Sequence, residues 1–277
     1  MKILVVTDSN ADIPPHLTEK YNIGVVPAIL IVRGIEYRDG EGITREEYYA
    51  QIPELDPPPT TAAPAPGAFD ALFRAALDQG ASQVIGIFTG GELSAIYNTA
   101  KTAALSFGEK VKVLDSQQIS LGIGFQVLAA AEAAAQGKSM LEIEEEVREV
   151  RSRLHVAAML DTLVQLRRSG RISWAKANIG EMIQAKPFVG VAGGKVIQMG
   201  AARTRRKGIQ RLKEMLLELG PVERLGVLHT NSEQEARAFL DSLGSSAPKD
   251  ALTINVSAVI GTHVGVNALG YAAVAEK

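Results

Sequence analysis

Short, continuous apolar runs alternate with longer segments of mixed polarity over the first half of the chain. Ile3-Leu4-Val5-Val6 is rich in β-branched residues and ends at Asp8-Ser9-Asn10, the pattern of a buried parallel strand that delivers polar groups at its C-terminal end. Ligands of open α/β sheets collect at that end, so Asp8 and Ser9 are pocket candidates; either serves equally well as the cap of a following turn. Val25 to Val32 reads as a second strand, interrupted by Pro27 and therefore placed at an edge or a bulge. Thr44-Arg45-Glu46-Glu47 and Ser139-Met140-Leu141-Glu142 are capping boxes, which open helices to about Ile52 and about Leu154. Between them the pattern predicts a helix over 68–79, a strand over 84–88, a helix from about Ser94 to Phe107, a strand over 112–114 and an Ala-rich helix to about Gln136.

Strand–helix alternation of this kind implies a mostly parallel sheet covered on both faces. The second half differs. Strands are predicted at 155–160, 225–229 and 252–256, a β-rich stretch over 186–199 turns at Gly193-Gly194, helices span 163–168 and 204–219, and Asn231 or Ser232 caps another. Val259 to Gly265 reads as a loop leading to a final strand through Ala275. The expectation is an α/β fold of two domains, 1–153 and 154–277.

The stretch Pro57-Pro58-Pro59-Thr60-Thr61-Ala62-Ala63-Pro64-Ala65-Pro66 interrupts this pattern. Half of its residues are proline, which fixes φ and biases each preceding residue towards extended backbone. It reads as a stiff connector whose side-chain hydrogen-bonding groups are the hydroxyls of Thr60 and Thr61. Such a loop suits a small polar head group, or it is a spacer whose threonines face water.

Composition narrows the function classes. The formal net charge is −2 with 22% charged residues, which points away from a general nucleic-acid binder. The absence of cysteine excludes disulfides, thiolate metal sites and cysteine nucleophiles, and permits a reducing compartment. The N-terminal apolar run is too short for a signal segment or a membrane span, and the stretch Leu121 to Ala135 is broken by Gly122, Gly124, Gln126 and Glu132. A soluble, cytoplasmic protein without membrane insertion is expected.

Of four histidines, only His263 lies between glycines, Gly261 and Gly265, where a ring nitrogen can reach a cleft or simply serve the structure. The motifs of dinucleotide, P-loop, GxSxG and HExxH sites are missing, so neither a cofactor nor a metal is expected. Thr89-Gly90-Gly91-Glu92-Leu93-Ser94 joins a strand to a helix N-terminus, a place where backbone N–H groups suit an anion; Ser94 there is a ligand contact or a plain N-cap. Arg167-Arg168 with Arg171, and Arg203 with Arg205, Arg206 and Lys207, form basic clusters. The second opens a helix, against its dipole, which hints at an offsetting anion or macromolecule.

Taken together, Val6-Thr7-Asp8-Ser9-Asn10-Ala11-Asp12, Pro59-Thr60-Thr61-Ala62-Ala63-Pro64, Leu93-Ser94-Ala95-Ile96-Tyr97, Asp115-Ser116, Ser120-Leu121-Gly122, Ser169-Gly170-Arg171-Ile172-Ser173, Lys186-Pro187, Arg203-Thr204 and Gly261-Thr262-His263 resemble the DegV family of bacterial fatty-acid-binding proteins over essentially the whole chain. The resemblance implies a tunnel at the domain junction that holds one long-chain fatty acid. It assigns the carboxylate to a hydroxyl of the proline-rich loop (Thr60 first, with Thr61 beside it), to Ser94 and to His263. It places Arg171 near the head group or a partner, and Arg203, Arg205 and Arg206 near a partner. In one subfamily the partner is an ATP-dependent fatty acid kinase, which makes an acyl phosphate; this chain is then a carrier and not an enzyme. The alternatives are an acyl hydrolase or transferase using Ser94 or Thr60 with His263, and a lipid sensor. The chain departs from the family pattern at Thr61, Ala62, Gly90, Gly91, Ala95, Ile96 and the run His263-Val264-Gly265-Val266-Asn267, and these changes make the head-group end less polar.

Overall fold

The computed structural model describes residues 2–172, 174 and 185–277. Strand β1 (Ile3–Asp8) is buried along its whole length, as its continuous apolar run predicts. Helix α1 (Pro15–Lys20) leads to β2 (Gly24–Val26). Pro27 cannot donate to a ladder, and there the chain leaves this sheet. The expected single strand over 25–32 is therefore two, with β3 (Ile29–Val32) in a different sheet. Next come β4 (Ile35–Arg38), α2 (Arg45–Gln51), β5 (Thr60–Ala62), α3 (Pro66–Asp78), β6 (Gln83–Phe88), α4 (Ile96–Ala104), β7 (Val111–Asp115), α5 (Leu121–Ala135) and α6 (Met140–Ser152). Both capping boxes form, at Thr44 with Glu47 and at Ser139 with Glu142.

These elements make a parallel sheet in the order β2-β1-β6-β7 and a small antiparallel sheet β4-β3-β5. The proline-rich stretch thus contributes an edge strand, in which Leu30 pairs with Thr61 and Ile31 with Thr60. Edge strands are where neighbouring prolines are tolerated.

The second half runs β8 (Leu154–Met159), α7 (Val164–Arg168), β9 (Lys186–Ala192), β10 (Lys195–Ala202), α8 (Arg205–Leu217), β11 (Val222–His229), α9 (Glu233–Leu243), β12 (Leu252–Asn255), α10 (Ala258–Val264) and β13 (Leu269–Ala275). Its sheet has the order β10-β9-β8-β13-β11-β12, with only β11 and β12 parallel. Gly193 and Gly194 close the β9–β10 hairpin at φ 55° and 78°, the doubly positive backbone that a two-residue type I′ turn demands.

The segment Val259 to Gly265, expected as a loop, is instead helical. The Ser257 hydroxyl caps it by accepting the Ile260 N–H at 3.2 Å, and Ala258, Val259 and Ile260 are buried. Gly261 is there for packing and not for flexibility: a Cβ would lie 2.2 Å from Cε1 of Tyr49.

Helix α5 joins the two large sheets. Almost every residue in it is buried, and it packs on β1 and β6 from one sheet and on β8 and β13 from the other. A helix apolar all round needs cover on all sides, so Ile3, Ile87, Val127, Val147, Val156 and Ala272 belong to one continuous core. Among the described residues no helix is long and apolar enough to cross a membrane.

Candidate functional site

A cavity of about 290 Å³ opens where β5, the turn before α4, α10 and the six-stranded sheet meet. Most of its wall is apolar, including Ile119, Val156, Leu160, Leu166, Val189 and Ile260. Four of the expected site residues line it: Thr61, Ser94, Arg171 and His263.

The chain brings Thr61 and His263 together from opposite halves, with Thr61 Oγ1 3.0 Å from His263 Nε2. Helix α10 is held in place by Thr262 Oγ1, which lies 2.6 Å from the Tyr48 hydroxyl of α2 and donates to the Ala258 carbonyl. Burial, reinforced by the Arg171 guanidinium, pushes the His263 imidazole down to about 4, so the ring is neutral at neutral pH. Its Nδ1 is buried without a hydrogen-bond partner among the described residues. The Ser94 hydroxyl accepts the Ile96 N–H at 3.3 Å, which leaves its proton to donate. Arg171 donates to the carbonyls of Ser169 (2.7 Å) and Leu93 (3.3 Å), which sets its guanidinium beside the Ser94 turn.

Three expectations are corrected here. Thr60, preferred over Thr61 on sequence grounds, is exposed and does not line the cavity; neighbouring strand residues point to opposite faces, and the register on β3 gives the cavity face to Thr61. Four N–H groups of the turn before α4 are already engaged and are not open to an anion. Gly90 donates to the Gln118 carbonyl, Gly91 to Asp115 Oδ1, and both Leu93 and Ser94 to the Gly90 carbonyl. Helix α4 starts later than expected, with Ala95 at its N-cap position. Of the two readings open for Asp8 and Ser9, the capping one is met, with Asp8 as the cap of the turn at Ser9–Ala11. Asp8 is fully buried and accepts from the Asn10 N–H, the Thr89 N–H and the Thr89 hydroxyl, while Ser9 Oγ accepts the Ala28 N–H.

Asn10, Thr89, Ser120, His229 and Thr230 line the cavity without having been singled out by the sequence. Asn10 follows the end of β1, so the strand-end rule pointed to the right place and missed the residue by one or two positions. Ser120 donates to Asp12 Oδ2 at 2.6 Å; Asp12 also accepts the Ser257 N–H at 2.9 Å and pairs with Arg45 at 3.1 Å. Burial raises the Asp12 carboxyl to about 7 and the Asp8 carboxyl to about 6.

The basic cluster of α8 divides. Arg205 turns inward: it pairs with Glu235 and, at 3.1 Å, with Asp161, and it donates to the Asn267 carbonyl at 2.8 Å. Its charge at the helix N-terminus is offset within the chain, so it is not available to a partner. Arg203 and Arg206 are exposed. Ser173, part of the motif around Arg171, lies outside the described residues. Among the described residues no group of side chains is arranged to hold a metal ion.

A parallel sheet and a mixed sheet packed on one buried helix, with a mostly apolar cavity that several polar side chains also line, define an α/β protein with an internal pocket. The chain belongs to the DegV family, described as uncharacterised proteins, whose pattern matches residues 2–276. It is 33% identical to protein DegV of Bacillus subtilis, covering 98% of each chain, and 31% identical to a DegV domain-containing protein of Listeria monocytogenes, covering 97% of each. Among solved structures it is similar to a DegV family protein from Thermus thermophilus described by its fatty acid binding (TM-score 0.89, 31% identity, 100% of both chains). It is likewise similar to DegV from Bacillus subtilis, described as a fatty acid binding protein (TM-score 0.87, 32% identity, 100% of both chains).

Proposed function

We propose that the cavity binds one long-chain fatty acid, with the carboxylate at Thr61, Ser94, His263 and Arg171. The observation that carries this reading is the Thr61–His263 pair on the wall of a mostly apolar cavity. In the neutral His263 tautomer that carries its proton on Nε2, the ring donates to Thr61 Oγ1 and the Thr61 proton is free for the ligand oxygen. Ser94 supplies a second hydroxyl donor and Arg171 a positive charge. Relatives described as fatty acid binding at more than 30% identity over the whole chain agree with it. Burying about 15 methylenes at ~0.8 kcal/mol each yields roughly 12 kcal/mol before the costs of association. A hydrogen bond to the charged head group adds about 1.5–3 kcal/mol. The tail sets retention and the hydroxyls set orientation.

Residues 1–153 and 154–277 are read as two domains with this cavity at their junction, since Thr61 and Ser94 come from one and Val189 and His263 from the other. The protein is read as a carrier that presents its acid to a separate ATP-dependent kinase, with Arg171 and the exposed Arg203 and Arg206 meeting that partner. Catalysis by Ser94 or Thr60 with His263 is not favoured. No described carboxylate orients His263 Nδ1, the orienting group that activated serines use, and Thr60 lies off the cavity.

Native mass spectrometry of the purified protein, followed by extraction and identification of bound lipid, tests the reading. One acyl chain per protein is expected; a lipid-free protein that takes up no added fatty acid would falsify it.

A further inference from the structure

We infer that the cavity accommodates an acyl chain bearing an oxygen acceptor partway along its length, a hydroxyl or a ketone, which His229 recognises. This rests on the fatty-acid reading above. His229 ends β11, is only 4% exposed and lines the cavity. Its backbone belongs to the sheet, where its carbonyl accepts the Val256 N–H at 2.9 Å. Its Nδ1 accepts the Ser232 N–H at 3.1 Å. Burial lowers the basicity of the ring, Glu233 and Glu46 oppose this more weakly, and Arg237 adds to it. A neutral ring that accepts at Nδ1 carries its proton on Nε2, and Nε2 has no partner among the described residues.

Thr230, the next residue, is also buried and on the cavity wall; its Oγ1 accepts the Ala268 N–H at 2.7 Å, and its hydroxyl proton has no described acceptor. The other polar side chains on the wall away from the head-group end are engaged. Asn10 donates to Thr89 and accepts from Ser257, Thr89 donates to Asp8, and Ser120 donates to Asp12.

Position separates this donor pair from the head-group end. The Val256 N–H that bonds the His229 carbonyl lies just before α10, and His263 lies near the other end of that helix. Seven residues of helix rise about 10 Å, which on the fatty-acid reading sets His229 against the chain and not against its carboxylate. A plain polymethylene leaves a buried N–H facing CH₂ groups, an arrangement that buried donors avoid. A mid-chain oxygen pairs with it. Specificity of this kind is strong because the analogue lacking the oxygen leaves the donor bare.

The test compares the delipidated full-length protein with stearic acid, a mid-chain hydroxystearic acid and stearic acid hydroxylated beside the carboxyl. The mid-chain hydroxy acid is expected to bind about tenfold tighter than the other two, as one buried hydrogen bond predicts. His229→Asn keeps an acceptor for the Ser232 N–H and removes the Nε2 donor; it should lose this preference. Equal binding of all three acids by the wild-type protein overturns the inference even if the variant does not fold, and so does a preference that survives in His229→Asn. Failure to bind any of the acids would instead defeat the fatty-acid reading.

Discussion

Thr61 and Thr60 are chemically identical neighbours that differ in one respect, the face of an edge strand on which each sits. Thr61→Val should weaken fatty acid binding about 10- to 100-fold, the equivalent of one charge-assisted hydrogen bond, while Thr60→Val leaves it unchanged. Displacement of a fluorescent fatty acid distinguishes the two, and equal losses would count against the assignment. His263 makes a pH prediction. Its folded value of about 4 lies below the ordinary 6.5, so the stability it contributes is present above pH ~6.5 and is lost as the pH falls through about 4, on the order of 3 kcal/mol in total. Asp8 and Asp12 act in the opposite sense: their raised values mean that stability is lost as the pH rises through about 6 and 7. His263→Gln keeps a donor near Thr61 but does not titrate, so the difference in Tm between it and the wild-type protein should change between pH 6.5 and 4. A constant difference would show that the ring does not titrate as described.

At the scale of elements, α10 sets the site, because it carries His263 to Thr61. Its contact with α2 leaves no room at Gly261. Gly261→Ala would press a methyl group into the Tyr49 ring and should cost about 1–3 kcal/mol, read as a lower urea midpoint together with weaker fatty acid binding. Substituting Gly265, whose φ is 80° at the helix end, also costs stability but leaves the Tyr49 contact intact. The two capping boxes, the Gly193-Gly194 turn and most strands were legible because each depends on residues a few positions apart. Helix α10 was not, since Gly261 within it and Gly265 at its end read as a loop until Tyr49, more than two hundred positions away, explains the first of them. The small sheet was missed for a similar reason. Its β5 lies in a proline-rich run that reads as unpaired until β3 lies beside it.

For the whole molecule, the core cluster around α5 draws residues from both halves, and the cavity likewise takes its wall from both. A ligand that binds only the folded state stabilises it by mass action. Removing bound lipid should therefore lower the Tm, and adding back fatty acid at a hundred times its Kd should restore about 2.7 kcal/mol. Differential scanning fluorimetry of stripped and reloaded protein measures this, and an unchanged Tm would argue that the cavity holds no such ligand. Because the cavity takes residues from both halves, neither half should bind the acid alone.

The sequence by itself determined the α/β class and the family, and it singled out Ser94, His263 and Arg171, which line the cavity. Hydrophobic period, capping signals and motif order are local properties, written in neighbouring residues. Only the tertiary structure decided that Thr61 and not Thr60 faces the cavity, that Arg205 is neutralised by Glu235 and Asp161, that the Gly90 and Gly91 N–H groups are already paired, and that His229 stands on the cavity wall. Each of these depends on a strand register or on a hydrogen-bond partner distant in sequence, and such partners are chosen by packing.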